Sequence, residues 1–390
     1  MKKIMIFIGS YLPGTKSAGV TTSISNMVEN LKSEFEFYIV TADRDLGESE
    51  PYKNVLLEQW TDYEGAHVYY SGKYLNSIKV LKQIINSVDV DIYYFNGFYN
   101  KRDTARVLLL WKLKQIKQKP IIMAPRGIFN MGDATKHEFA RFGYRMIFRA
   151  LSFDKKVFWH ATSDIEVNEI IKFFPKSKDK IFVVGNLSGI VLDDYRDCLN
   201  KEKGKLKIIY VSRISEKKNL KLIIEALSRI KAELVEWNVY GIIGSKEDQQ
   251  YWEECESMAE KLPSNVQVCY KGEIPHTKVK NLFLNHHLFF FPTLGENYGH
   301  VIAESIAYQC PILLSDRTPW NNLQELDAGW IVPVENKQKY IEILQQVIDM
   351  DNNEWKKKSK AAWQAARLLV DSKKIAEDHV AMFNKVGNAQ

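Results

Sequence analysis

Cysteine is scarce: Cys198, Cys255, Cys269 and Cys310 are scattered over 390 residues, with no CxxC pair. That spacing excludes a zinc ribbon and a disulfide framework and fits a reducing cytoplasm. No run of 18 apolar residues occurs, so no membrane-spanning helix is expected. The opening MKKIMIFIGSYLPG has two lysines and a short apolar run, but it leads into a Gly-containing turn and not a small-residue cleavage site. It reads as a first buried strand. No GxGxxG follows it, which removes the main support for a nicotinamide or flavin oxidoreductase. Residues 9–17, GSYLPGTKS, miss a P-loop, because Thr15 separates Gly14 from Lys16 and Pro13 has no N–H to offer a phosphate. Neither sign of charge dominates, with 54 Lys and Arg against 48 Asp and Glu. The net charge is +6, lysines are spread along the chain, and no nucleic-acid module is recognisable, so no nucleic-acid partner is expected. Asp89 and Asp91 precede a strand and read as a polar turn. His286 and His287 are adjacent and cannot share a helix face as paired metal ligands.

What the sequence does contain is a regular alternation. Apolar runs rich in β-formers occur at 3–8, 35–41, 90–95, 120–124, 156–161 and 180–185, and again at 207–212, 234–241, 266–272, 287–292, 311–315 and 329–333. Strands apolar on both faces, separated by amphipathic helices, predict an α/β fold of parallel sheets covered on two sides. Val20, Ile24, Met27, Val28 and Leu31 form one predicted apolar stripe. Leu220, Ile223, Ile224, Leu227 and Ile230 form another, with Asn219 as its expected N-cap. The length suits two domains. The expected boundaries are a domain at 1–190, a polar linker at 191–205, a second domain at 206–352 and a helical tail at 353–390 that crosses back to the first. Two doubly wound domains place strand ends and helix N-termini around a cleft, and ligands bind at such carboxyl ends.

The sharpest signal is PTLGENYGHVIAES at 292–305, a strand end, a Gly-containing loop and a helix start. Backbone N–H groups of Asn297, Tyr298, Gly299, His300 and Val301, together with the helix dipole, suit an anion. Gly299 lets a phosphate approach the backbone. Glu304 carries two acceptor oxygens for the hydroxyl pair of a ribose, and Glu296, eight residues earlier, falls nearer the donor sugar. A second signal is IYVSRISEKKN at 209–219. Arg213 follows a buried strand and Lys218 opens the next helix, a planar fork and a point charge that suit a diphosphate.

Together these stretches resemble glycosyltransferase family 4, of the GT-B fold, which carries an arginine and a lysine after the first strand of its C-terminal domain and then an E-x7-E motif. The matching positions are Arg213, Lys218, Glu296 and Glu304. Residues 10–19, SYLPGTKSAG, look like the family's N-terminal Gly loop, without its double glycine. Residues 124–128, APRGI, and 160–166, HATSDIE, look like stretches of members that build bacterial surface polysaccharides, and 183–190, VVGNLSGI, resembles the turn before the linker. Many members carry a histidine where Arg126 falls. An arginine there presents only donors, so it holds a phosphate or a sugar hydroxyl, or simply ties down the loop.

The resemblance implies two Rossmann-like domains facing a cleft, and a retaining, metal-independent transfer from a nucleoside-diphosphate sugar, with no cofactor. Arg213, Lys218, Glu296 and Arg126 are the expected catalytic residues. Glu304, Asn297, Tyr298, Gly299, His300, Val301, Gly244 and Ile274 are expected to hold the donor, and Gly14, Gly19 and Lys136 to serve the acceptor. The expected acceptor is a glycan or a polyprenyl-diphosphate-linked sugar, in cell-surface polysaccharide synthesis. Arg141, Arg145 and Arg149, four residues apart beside Phe139, Phe142, Met146 and Phe148, read either as a basic amphipathic face for an anionic membrane or as the solvated face of an ordinary helix; the first gives a cytoplasmic protein peripheral to the inner face of the membrane. A sugar-nucleotide epimerase of the same fold and a non-catalytic sugar-nucleotide-binding partner are the alternatives.

Overall fold

The computed structural model describes residues 1–14, 18–45, 47–73, 76–129, 138–197 and 199–389. The chain divides into two compact units, residues 1–188 with 372–390, and residues 189–371.

The first unit is built on strands β1 (Lys2–Phe7), β2 (Phe35–Thr41), β3 (Trp60–Tyr63), β4 (Ala66–Tyr70), β5 (Ile92–Asn96), β6 (Ile121–Ala124), β7 (Phe158–Ala161) and β8 (Ile181–Val183). They form one sheet in the order β3-β4-β2-β1-β5-β6-β7-β8. Its helices are α1 (Ala18–Leu31), α2 (Ile78–Asn86), α3 (Arg106–Lys112), α4 (Glu138–Ala150) and α5 (Asp164–Phe173). The second unit holds β9 (Lys205–Val211), β10 (Leu234–Tyr240), β11 (Val266–Tyr270), β12 (Leu288–Phe291), β13 (Ile312–Ser315) and β14 (Gly329–Val332). These run parallel in the order β11-β10-β9-β12-β13-β14. Its helices are α6 (Leu220–Leu227), α7 (Lys246–Ala259), α8 (His276–Leu284), α9 (His300–Ala307), α10 (Lys337–Asp349) and α11 (Asn352–Leu369). The last helix, α12 (Ser372–Gly387), belongs to the first unit, where Met382, Phe383 and Val386 are buried against the sheet.

All twelve apolar runs form strands. Most of their residues are buried, as in Phe289, Phe290 and Phe291, because helices cover the sheet faces, while the edge strands β8 and β11 leave Val183 and Tyr270 exposed. The hairpin β3–β4 was not expected. It pairs antiparallel at the sheet edge, and Glu64 and Gly65 between its strands both have positive φ, the conformation of a tight two-residue turn that suits the twist of a hairpin.

Four expectations need correction. Val20 is exposed and the buried stripe of α1 is Ile24, Met27, Val28 and Leu31. Asn219 does not cap α6 with its side chain. It sits in the left-handed region, and its Nδ2 donates to the Pro292 carbonyl at 3.2 Å. Arg145 is not part of a solvated basic face: it is buried, ion-paired with Glu138, bonded to the Tyr99 hydroxyl at 2.6 Å and stacked 4.5 Å above the Phe173 ring. Phe148 is buried in the same core, whereas Phe139, Phe142, Met146 and Ile147 are exposed.

The charged stretch 191–205 lies along the second unit. Asp193 pairs with Lys280 of α8 and accepts Trp363 Nε1 of α11 through its carbonyl at 2.8 Å. Asp197 pairs with Lys356, and the buried Lys201 ammonium donates to the Ile348 and Met350 carbonyls at the end of α10. Those helix-terminal carbonyls have no intrahelical donor, so a cation satisfies them twice over, by hydrogen bond and by charge. Among the described residues no helix is long and apolar enough to cross a membrane, and no cluster of three or more His, Cys, Asp or Glu is placed to hold a metal ion.

Candidate active site

The order of the second sheet reverses between β9 and β12, which are adjacent and parallel although β10 and β11 lie between them in sequence. Chains leaving two such strands diverge to opposite faces and open a hollow at the carboxyl edge. Both sequence signals emerge there. After β9 come Arg213 and a single tight turn, Glu216–Lys218, before α6. After β12 comes the loop from Pro292 to Gly299 before α9.

The two loops are lashed together by backbone groups. Leu294 N–H donates to the Lys217 carbonyl at 2.8 Å, and Thr293 Oγ1 donates to the same carbonyl at 3.2 Å. Asn219 completes the tie through Pro292. From the other side the Ser315 hydroxyl bonds the Thr293 carbonyl, the Arg317 carbonyl accepts Glu296 N–H, and Trp320 Nε1 donates to the Tyr298 carbonyl. With its backbone so anchored, Glu296 meets Lys218 in a direct ion pair, and the Lys218 ammonium also stands 5.2 Å from the centre of the Phe291 ring. Burial alone would push the Glu296 carboxyl up, but the Lys218 ammonium, with Lys217 and the Asn297 N–H, outweighs it and holds the group below its ordinary range. Glu296 is therefore an anion poised beside a cation.

Gly299 joins the loop to α9. Its φ of +79° disfavours any side chain, and a Cβ there would fall 2.9 Å from Cγ of Glu296 and 2.7 Å from Cδ1 of Ile302. Ile302 and Ala303 donate to the Gly299 carbonyl, while Val301 N–H has no acceptor among the described residues. The open end of an eight-residue helix thus stands at this edge with its positive dipole. Tyr298 and His300 stack edge to face at 4.9 Å over this end.

Arg213 is exposed, and among the described residues its guanidinium forms no hydrogen bond or ion pair. It is aligned by the chain around it. Tyr210 Oη donates to its carbonyl at 3.1 Å, and Ile214 bridges to Ile243, which brings Gly244 beside it, a Cβ on Gly244 lying 3.8 Å from Arg213 Cδ. Ile274 sits two residues before His276, whose Nε2 is 2.7 Å from Glu304 Oε1. The second unit therefore gathers Arg213, Lys218, Gly244, Ile274, Glu296, Asn297, Tyr298, Gly299, His300, Val301 and Glu304 on one edge of one sheet.

The residues expected to serve the acceptor lie in the first unit. Arg126 follows β6 with φ +60° and uses all three nitrogens: Nε bonds Asn96 Oδ1 at 2.7 Å, Nη1 bonds Asn186 Oδ1 and Nη2 bonds Tyr94 Oη at 2.8 Å. Tyr94 Oη donates in turn to Nδ1 of the buried His160, whose Nε2–H donates to the Val184 carbonyl. Burial, with the Arg126 charge nearby, keeps that imidazole neutral. Arg126 therefore ties this loop to Asn96, Asn186 and Tyr94. Gly14 is buried against Tyr52 and Asp45, and Gly19 lies in the open first turn of α1. Lys136 falls outside the described residues. Asp91 accepts Lys3 N–H and Asp89 pairs with Lys117, as expected of a polar turn, while both rings of His286 and His287 are spent on structural hydrogen bonds.

Residues 193–367 match the family described as Glycosyl transferases group 1. The matched stretch falls within the second unit. A search of curated protein sequences gives no match to this chain. Among solved structures, HepE of Anabaena, crystallised with UDP and glucose, superposes with a TM-score of 0.72 at 15% identity, covering 99% of this chain and 100% of its own. Sucrose-phosphate synthase of Thermosynechococcus elongatus gives 0.75 at 12% identity over 100% of both chains. A TarM variant of S. aureus, solved with Fondaparinux, alpha-GlcNAc-glycerol and UDP, gives 0.68 at 13% identity over 98% and 100%. These likenesses fix the fold as GT-B, two parallel-sheet α/β domains. Within the group 1 domain, sequence reasoning missed His276 and the loop anchors Thr293, Ser315 and Trp320. Their partners are far away in sequence, and no local spacing announces them.

Proposed function

We propose that the protein is a retaining, metal-independent hexosyltransferase. It moves a sugar from a nucleoside-diphosphate sugar to a hydroxyl of a glycan or polyprenyl-diphosphate-linked acceptor in cell-surface polysaccharide synthesis. The observation that carries this reading is the Lys218–Glu296 ion pair set beside the open start of α9. Cleavage of the anomeric C–O bond sends its electron pair onto the diphosphate. Lys218, Arg213 and the Val301 N–H stabilise that charge where it develops, and because they are already in place the site needs no reorganisation. Glu296 has a second oxygen for hydroxyls of the sugar, and Glu304 takes the ribose. The acceptor hydroxyl bonds to the anomeric carbon on the face that the diphosphate leaves and gives its proton to the departing phosphate oxygen. Gly244 and Ile274 flank the base. The first unit supplies the acceptor groups near Gly14, Gly19 and Lys136. HepE and TarM, each solved with UDP, support the choice of donor class.

Mass spectrometry of products from a panel of nucleotide sugars and lipid-linked acceptors tests the reading. Transfer by the purified chain is expected, and it should fall by about 10²-fold or more in Arg213→Ala and Lys218→Ala, the scale for removing a preorganised charge-stabilising group. An epimerised donor without transfer, or full transfer by both variants, would refute it.

The lipid-linked acceptor places the protein on the cytoplasmic face of an anionic membrane, and α4 supports this. Phe139 is 96% exposed, and Phe142, Met146 and Ile147 extend the same apolar side between Arg141 and Arg149. Phe139→Ser combined with Phe142→Ser should release the protein from anionic vesicles in co-sedimentation. Equal retention of the variant would remove α4 from the interface.

A further inference from the structure

His276 opens α8 directly after Ile274 and Pro275 and belongs to no motif, yet its Nε2 lies 2.7 Å from Oε1 of Glu304. The Glu304 side chain is only 9% exposed, so its charge is largely removed from water and each of its acceptor positions matters. A carboxylate offers about four such positions. Among the described residues His276 fills one, and Oε2 takes no donor. The phenol of Tyr298 is the second observation. It is buried without a hydrogen-bond partner among the described residues, and Glu304 stands close enough to add to the burial that raises its pKa. One oxygen of the carboxylate is therefore held, and the other takes no donor among the described residues. That is the complement of two neighbouring hydroxyls on one ring.

We propose that His276 is a nucleotide-positioning residue: by holding Oε1 it fixes the Glu304 carboxylate so that both ribose hydroxyls are read together, and it thereby sets the preference for ribo- over 2′-deoxyribonucleotides. This rests on the reading of Glu304 as the ribose acceptor. The carboxylate raises the His276 pKa against the opposing effect of burial, the sign expected of a donor held on an anion. Without the imidazole, Glu304 is free to turn, and the ordering it then undergoes on binding falls on the nucleotide's affinity. The effect is largest for the ligand that uses both oxygens, which is the ribo form.

Calorimetric titration with UDP, GDP and ADP, followed by the 2′-deoxy form of the tightest binder, separates the possibilities. The chain should prefer the ribo form. His276→Ala should weaken it roughly tenfold, the scale of one charge-assisted hydrogen bond, and weaken the deoxy form much less, so the preference collapses. His276→Gln, which keeps a side-chain N–H donor, should restore most of the preference. In transfer assays the KM for the donor should rise in His276→Ala by more than kcat falls. If His276→Ala binds both forms as the parent does, or loses both equally, while Glu304→Ala loses the ribo form, the inference is overturned and the reading of Glu304 stands. If Glu304→Ala leaves the affinity unchanged, or no nucleoside diphosphate binds, the reading itself fails and the inference with it.

Discussion

At the scale of single residues, Arg126 is the centre of a buried hydrogen-bond network. Its three nitrogens bind Asn96, Asn186 and Tyr94, and the chain of donors continues into a buried neutral histidine. Arg126→Ala is expected to destabilise the first unit by about 1–3 kcal/mol, because it leaves buried acceptors without donors. Urea unfolding measures this, and an unchanged midpoint would show that the network carries no weight. Sequence alone left the role of Arg126 open, since it cannot show that Asn96 and Asn186 converge on one loop. Arg145 was hidden for the same reason. A four-residue spacing places it on a helix face, but only the fold brings Tyr99 and Phe173 over that face. Glu296 and Glu304 were legible because eight residues across a loop and a helix start constrain them locally, whereas the partner of His276 is contributed by another helix.

At the scale of elements, the switch between β9 and β12 makes the site. Its strands were legible as apolar runs because both faces are covered. The β3–β4 hairpin was not, because its edge strands mix aromatic and polar residues, and its turn signal, Glu64-Gly65, lacks the asparagine or aspartate that marks such turns most plainly. The junction at Gly299 is the most exacting point of the site's scaffold. Gly299→Ala puts a Cβ into the space of Glu296 and Ile302 at a left-handed φ, and strain of about 1–3 kcal/mol is expected. Because relief requires Glu296 or the first turn of α9 to move, activity should fall further than stability. A variant whose thermal midpoint drops while kcat/KM stays at the parent value would separate α9 from the chemistry.

At the scale of the whole molecule, each unit hides a histidine that folding keeps neutral. His287 accepts Lys207 N–H, donates to the Asn200 carbonyl and meets Trp355 edge to face, while His379 donates to the Ile375 carbonyl of its own helix. Burial lowers both pKa values to about 4. Between that value and the unfolded value near 6.5 the unfolded chain binds more protons than the folded one. The stabilisation is thus complete above pH 6.5 and lost as pH falls to 4, on the order of 3 kcal/mol for each histidine. Urea midpoints should drop between pH 7 and 4.5, and midpoints that hold constant would contradict the assignment. The architecture of the whole chain was foreseeable from the strand–helix alternation. The return of α12 alone to the first unit, with α11 staying in the second, depends on packing at Trp355, Trp363 and Phe383 that composition does not reveal. The proposed donor site requires a pyrophosphate to rest against Arg213, Lys218 and the start of α9. Calorimetry comparing a nucleoside diphosphate with its parent nucleoside tests it most directly. Arg213→Ala and Lys218→Ala should each lose at least tenfold in diphosphate affinity, the lower scale for a charged hydrogen bond, and leave the weak nucleoside affinity unmoved. Diphosphate affinity that survives both substitutions would contradict it.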